Sequence, residues 1–118
     1  MKALLGMLML AMMSGASFAM SGREYLDHCR TVTVYDRAQC MGYLDAILSH
    51  DAETEIKIAQ TMKPAPYCLP TGVQLPLLRD VVVRMLGQFP ARRLRGDAGP
   101  LIRGILARTY PAQASCAN

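Results

Sequence analysis

All four cysteines of this chain lie downstream of a segment that has the layout of a secretory leader. They are Cys29, Cys40, Cys68 and Cys116. Residues 1–19 carry one early positive charge, then an apolar stretch, then small residues, which predicts a signal peptide cleaved after Ala19. The apolar stretch is too short to span a bilayer comfortably. We therefore expect an exported domain in an oxidising compartment, with no membrane anchor after cleavage.

The remaining residues, 20–118, show no second break in composition, which predicts a single domain. A domain of this size buries only about two-thirds of its unfolded surface, so disulfides matter for its stability. Its charge is uneven: residues 20–67 hold five basic and seven acidic side chains, whereas residues 68–118 hold seven arginines and two aspartates. No aromatic residues are interleaved among those arginines, which argues against nucleic acid as a partner.

Capping patterns place the first two helices. Ser21 and, three residues later, Glu24 form such a pattern and predict a first helix from about Gly22 to Arg30. The β-branched segment 31–35 has no second strand to pair with, so we interpret it as an extended connection. Asp36 repeats the capping pattern and predicts the start of a longer second helix, which ends after His50 or continues to about Ala59.

Proline positions delimit the last two helices. Pro76 is tolerated only in a first turn, so the third helix should start near Leu75, and Phe89-Pro90 should close it. The fourth helix should open at Gly96-Asp97 and stop at Pro111. Apolar residues follow helical spacing in the last three helices. The stripes are Met41, Leu44, Ile47 and Leu48; Leu75, Leu78, Val82, Met85, Leu86 and Phe89; and Leu101, Ile102, Ile105 and Leu106. The predicted fold is all-α, a small disulfide-stapled bundle of about four helices.

The cysteines fall at predicted helix ends. Pairing Cys29 with Cys40, and Cys68 with Cys116, would join neighbouring ends without unwinding a helix. Four cysteines allow three connectivities, and the other two stay open at this point.

No residue pattern predicts catalysis, a cofactor or a metal. Asp27-His28-Cys29 contains the residue types of a thiol hydrolase, but consecutive helical residues point to different faces and do not converge. A Cys-x-x-Cys pair is absent from the sequence. The carboxylates of Asp51, Glu53 and Glu55 are spread around a helix by their spacing of two, which favours a solvated acidic face.

Arg92, Arg93 and Arg95 form the one cluster that suggests an interaction. Two interpretations are open. The cluster is either a solvated connection between helices or an electropositive prong that steers a protein partner with an acidic cleft, a contact for which arginine has a suitable rigid fork of donors.

Several segments together resemble the Rap/Tai family of type VI secretion immunity proteins. Tyr67-Cys-Leu-Pro-Thr-Gly-Val73 is similar to its aromatic-Cys-x-Pro-x-Gly-Val segment, and Cys40-Met-Gly-Tyr-Leu-Asp45 to its Cys-x-Gly-Tyr helix start. An amphipathic helix and the turn Phe89-Pro-Ala-Arg-Arg93 follow. Phe89 stands where the family usually has histidine, and four residues separate Tyr110-Pro111 from Cys116 where the family has none.

This resemblance implies a non-enzymatic, all-helical periplasmic protein, often homodimeric, that binds a peptidoglycan amidase effector and occludes its active site. Members commonly insert a surface loop into the amidase cleft, and the hypothesis here is that the turn from Arg92 to Arg95 does so. Two alternatives remain: a periplasmic acid-stress chaperone of the HdeA-like kind, and an accessory envelope protein without a toxin partner. The chaperone is disfavoured by the basic charge and the small number of carboxyl groups, nine in all.

Overall fold

The computed structural model describes residues 20–59 and 67–112, with the backbone alone for 53–59. These residues form five helices and no strand longer than an isolated bridge. The helices are α1 (Gly22–Arg30), α2 (Val34–Ala59), α3 (Leu75–Leu86), α4 (Ala91–Leu94) and α5 (Ala98–Thr109). The prediction of an all-α bundle is confirmed. The predicted signal peptide and Cys116 lie outside the described residues and stay predictions.

The short helix α1 lies at the centre of the bundle. It packs against each of the other four helices, and its side chains Tyr25 and Leu26 are fully buried. The Tyr25 ring lies 5.7 Å from the Tyr43 ring of α2, between centroids. The Tyr25 hydroxyl donates to the sulfur of Cys40 at 3.7 Å, since a disulfide sulfur has no proton to give. Burial raises the pKa of Tyr25, so its hydroxyl stays protonated.

The apolar stripes predicted for α2, α3 and α5 supply most of the remaining core. In α3 the buried members recur every four residues, and in α5 they lie three or four residues apart on one side of the helix. The buried members of the three stripes are Leu44, Ile47, Leu78, Val82, Leu86, Ile102, Ile105 and Leu106. Leu94 of the short helix α4 completes this cluster. Burial of one such side chain stabilises the fold by about 1.5 to 3 kcal/mol.

The first turn of α1 is fixed to the junction between α4 and α5. The Gly22 N–H donates to the Gly96 carbonyl at 2.9 Å, and the Ala98 N–H donates to the Met20 carbonyl at 2.8 Å. The Ser21 hydroxyl accepts from the Glu24 N–H at 3.1 Å, so the predicted cap is confirmed. These bonds attach the start of α1 to the segment that joins α4 to α5.

The start of α2 differs from its prediction. The helix begins at Val34, two residues before Asp36, so the extended connection is shorter than expected. Thr33 is the cap instead: its hydroxyl oxygen accepts from the Asp36 N–H at 3.2 Å and its proton goes to the Asp36 carboxylate. The β-branched residues suggested an extended segment, but a satisfied helix end outweighs that weak preference. Helix α2 continues to Ala59, the longer of the two predicted ends.

The predicted C-terminal end of the third helix and the predicted connection after it also need correction. Helix α3 starts at Leu75 as predicted but ends at Leu86, and Gly87 is its C-cap, so Phe89-Pro90 does not close it. An added Cβ at Gly87 would lie 2.6 Å from the Arg30 guanidinium, so glycine leaves room for that cation beside the negative end of α3. The segment predicted as a plain connection, 91–95, contains the one-turn helix α4.

The disulfide between Cys29 and Cys40 is present, as predicted, and joins the last turn of α1 to α2. No cysteine among the described residues is free. The predicted partner of Cys68 is outside that part of the chain. The Cys68 N–H donates to the Tyr110 carbonyl at 2.9 Å, which fixes residue 68 to the end of α5.

Candidate protein-binding surface

The cluster of Arg92, Arg93 and Arg95 lies on and just after α4, and all three side chains are exposed. Pro90 precedes the helix and its carbonyl accepts from the Arg93 N–H at 2.9 Å. Buried Leu94 attaches this turn to the core. The three guanidinium groups are therefore carried on an ordered, anchored turn, which is the arrangement required of a pre-organised binding surface.

Phe89 positions one of these arginines. The Arg93 guanidinium lies over the Phe89 ring, 4.2 Å from its centroid, a contact worth about 0.5 to 1 kcal/mol at an exposed site. Phe89 is the residue that stands where the resemblance expects histidine. The neutral aromatic ring attracts the guanidinium and adds no charge of its own to this surface.

The positive charges of these three arginines have no acidic partner among the described residues. Two arginines of the second half of the chain have acidic partners, Arg79 with Asp80 and Arg103 with Asp51. Within the described ranges, Arg92, Arg93 and Arg95 form no ion pair, nor does Arg108 in the last turn of α5. In the described part of the chain, this surface therefore carries positive charge with no acidic partner, the kind of charge that attracts an acidic protein surface.

Arg108 was not among the residues predicted from the sequence to bind a partner. The sequence signal that could have identified Arg108 is its spacing, because residues 101, 104, 105 and 108 share one face of α5. Only residues 101 and 105 of this face belong to the apolar stripe predicted for the helix. Arg108 therefore lies at the end of this partly apolar face of α5. It lines the same cavity as Arg93.

Asp51 is not part of a solvated acidic face. Its side chain is only 11% exposed and accepts from Arg103 Nε at 3.0 and 3.1 Å. The Tyr67 hydroxyl donates to it at 2.7 Å. The expectation was wrong for this residue because spacing along α2 does not show which side chains of α5 lie opposite. Side chains of Glu53 and Glu55 are outside the described part of the structure.

Asp27, His28 and Cys29 do not converge. Cys29 is in the disulfide, Asp27 lies 3.5 Å from Arg23 on the exposed side of α1, and His28 Nδ1 lies 2.6 Å from an Asp36 oxygen. The Thr33 hydroxyl bond, and secondly the His28 bond, lower the pKa of Asp36. This set of contacts orders the turn between α1 and α2, and with its sulfur in a disulfide Cys29 cannot act as a thiolate.

The described residues offer neither a metal site nor a membrane-spanning helix. They contain no group of three or more His, Cys, Asp or Glu side chains placed to hold a metal ion. None of their helices combines the length and the apolar character needed to cross a membrane.

A family model described as Rap1a immunity proteins matches residues 21–112, which is more than half of the chain and covers all five helices. The chain belongs to the Rap1a immunity protein family. A search of curated proteins gave no match. Membership indicates a type VI effector immunity protein, whose partner is an effector protein. For a Rap1a immunity protein, an ordered and uncompensated arginine surface is a feature that a partner can recognise.

Proposed function

We propose that this protein is a periplasmic immunity protein that binds a type VI peptidoglycan amidase effector and inhibits it by occluding its active site. The observation that carries the proposal is the surface of Arg92, Arg93 and Arg95, which is ordered, exposed and without acidic partners among the described residues. Inhibition by occlusion needs shape and charge complementarity but no catalytic group on the inhibitor.

The periplasmic location is supported by the signal peptide predicted over residues 1–19 and by the disulfide between Cys29 and Cys40. Structural disulfides persist in oxidising compartments, of which the bacterial periplasm is one. Peptidoglycan lies in the same compartment, so an exported inhibitor would meet an amidase at its substrate.

A protection assay tests the function. Full-length protein and each of a panel of type VI amidase effectors are produced together in a bacterial host, with every amidase exported to the periplasm. We expect lysis to be suppressed for at least one amidase, and a version retained in the cytoplasm by deletion of residues 1–19 to give no protection. Protection only against effectors of another chemistry would contradict the amidase target while leaving the immunity role intact.

The arginine surface has its own test in association kinetics with the protective amidase. Replacing Arg92, Arg93 and Arg95 with alanine should slow association by about tenfold at low salt and weaken its salt dependence, because charge steers the encounter. Arg37→Ala, at the start of α2, is the matched control and should change the on-rate little. An unchanged on-rate in the triple variant would remove this surface from the interface.

The homodimer that the resemblance implies is part of the proposal. Three apolar side chains are exposed where α1 connects to α2: Val32 in the connection (79%), and Val34 and Tyr35 in the first turn of α2 (85% and 68%). A second copy would bury this surface. Sedimentation of the purified protein measures its oligomeric state. Val34→Asp should dissociate the homodimer if this apolar surface is the contact.

A further inference from the structure

A small cavity lies between the end of α3 and the outer face of α5, beside α4. Its volume is about 100 Å³. We name it the Gly104 groove, and its lining includes Met85, Phe89, Arg93, Leu101, Gly104 and Arg108. Drug-sized and cofactor ligands occupy clefts of about 300 to 1,000 Å³, and a cavity of about 150 Å³ holds benzene. The Gly104 groove therefore has room for one aliphatic side chain and not for a cofactor.

Gly104 lines the groove and contributes no side chain to it. It lies inside α5, where glycine costs about 0.5 to 1 kcal/mol relative to alanine. An added Cβ would meet no atom within 4 Å outside its own stretch of helix, so no neighbouring element requires glycine by close packing. At Gly22, by contrast, an added Cβ would lie 2.7 Å from Leu101. A longer side chain at position 104 would start from the lining of the groove, in open space.

Arginines flank the apolar interior. Arg93 and Arg108 are exposed, line the same cavity, and form no ion pair within the described residues. The Phe89 ring holds the Arg93 guanidinium at 4.2 Å. An apolar cavity one side chain wide, between two exposed cations, is complementary to an apolar residue with carboxylates next to it.

We propose that the Gly104 groove receives one aliphatic side chain from an acidic segment of the effector, whose carboxylates pair with Arg93 and Arg108. The assignment of the segment to an effector rests on the proposed function, whereas recognition of the segment depends only on this surface. An anchor side chain buried in a pocket and surrounded by a polar rim can supply much of the binding energy at a protein interface. The groove thus adds an apolar contact to the arginine surface described above.

Short peptides test the recognition chemistry without any effector. The probe is a capped pentapeptide with leucine between two pairs of aspartates, titrated into the ¹⁵N-labelled full chain purified from the periplasmic fraction. We expect the amide signals of Leu101, Gly104 and Arg108 to shift. Peptides with serine in place of leucine, or lysines in place of aspartates, should bind about tenfold more weakly. Equal binding of the serine peptide, or no shift with the leucine peptide, would overturn the proposal.

Gly104→Leu is the matching change in the protein. It fills the groove from a position where its Cβ meets nothing, so its melting temperature should equal or exceed that of the unchanged protein. Peptide affinity should fall by about tenfold, the loss expected when one aliphatic side chain is no longer buried. Gly42→Leu is the control, because Gly42 is also helical with nothing within 4 Å, and this variant should bind as before.

The outcomes separate this inference from the proposed function. If the protein neutralises an amidase and Gly104→Leu neutralises it equally well, the groove is not used and the inference fails alone. If the leucine peptide binds but no type VI amidase is neutralised, the amidase target fails and the groove remains. Dissociation of a homodimer by Gly104→Leu, with no peptide binding, would assign the groove to a second copy of this chain and overturn the proposal.

Discussion

Arg103 and Asp51 join the last helix of the bundle to the second through two hydrogen bonds from one guanidinium nitrogen, at 3.0 and 3.1 Å. The hydroxyl of Tyr67 donates to the same carboxylate at 2.7 Å. Three segments that are far apart in sequence therefore share one largely buried acidic group. Because a charge removed from water needs such partners, the three residues depend on one another.

Replacing Asp51 with alanine should destabilise the protein by about 2 kcal/mol, because hydrogen bonds to a charged group are lost and the Arg103 guanidinium, 35% exposed, loses its partner. Urea denaturation measures the change. In a double-mutant cycle, adding Arg103→Ala should cost less than it does in the unchanged protein. Asp45→Ala, on the exposed side of the same helix, is the control, and additive effects of Asp51→Ala and Arg103→Ala would contradict the coupling.

Removing the disulfide between Cys29 and Cys40 should lower the free energy of unfolding by about 3 kcal/mol, because the unfolded chain regains the freedom of a short closed loop. For a domain of this size that corresponds to a fall of roughly 10 to 20 °C in melting temperature. The variant Cys29→Ala/Cys40→Ala isolates this bond, and dithiothreitol tests all disulfides together. A melting curve that is the same with and without dithiothreitol would contradict a structural role.

Acid should weaken the turn between α1 and α2. The Thr33 hydroxyl and then His28 hold the pKa of Asp36 below its usual value, so its contribution to stability is present above the unfolded-state pKa of about 3.9. That contribution is lost as the pH falls through the lower folded-state pKa. Denaturation midpoints from pH 7 downwards should therefore fall less steeply in Asp36→Asn, which is already less stable at neutral pH. Parallel curves for the two proteins would contradict this role of Asp36.

Gly22 should not tolerate a larger side chain. A Cβ there would lie 2.7 Å from Leu101 and 3.3 Å from the Leu94 carbonyl, where α1 meets α4 and α5. Gly22→Val should cost about 1 to 3 kcal/mol through overpacking. The same change at Gly42, where an added Cβ meets nothing within 4 Å, should leave stability unchanged or slightly higher. Thermal melting of the two variants gives the comparison, and equal melting temperatures would show that the contact relaxes without cost.

Local chemistry predicted much of the fold. The cap at Ser21, the start at Leu75 and the stop before Pro111 were readable because each depends on a few neighbouring residues. The predicted closure of the third helix at Phe89-Pro90 was wrong, since Gly87 ends it earlier and Arg30, distant in sequence, lies beside that end. The start of α2 was also misplaced, because Thr33 and Asp36 both suit a helix end and only their contacts decide between them.

The candidate surface divides in the same way. Arg92, Arg93 and Arg95 are adjacent in sequence and could be selected as a cluster. Arg93 lies over the Phe89 ring, four residues earlier in the chain. The position of Arg108 beside the same cavity depends on how α5 packs against the end of α3. Asp51 was assigned to a solvated face because its partners, Tyr67 and Arg103, are 16 and 52 positions away.

The cysteines, helix caps, prolines and apolar spacing were sufficient by themselves to predict an all-α domain in which Cys29 pairs with Cys40. Each of these features depends on residues within one or two helical turns, or on neighbouring helix ends, so each can be predicted from the sequence. Only the tertiary structure decided that Asp51 is buried with Arg103, and that Arg93, Gly104 and Arg108 line one groove. These relationships depend on the relative position of separate helices, which side-chain packing across the whole core determines.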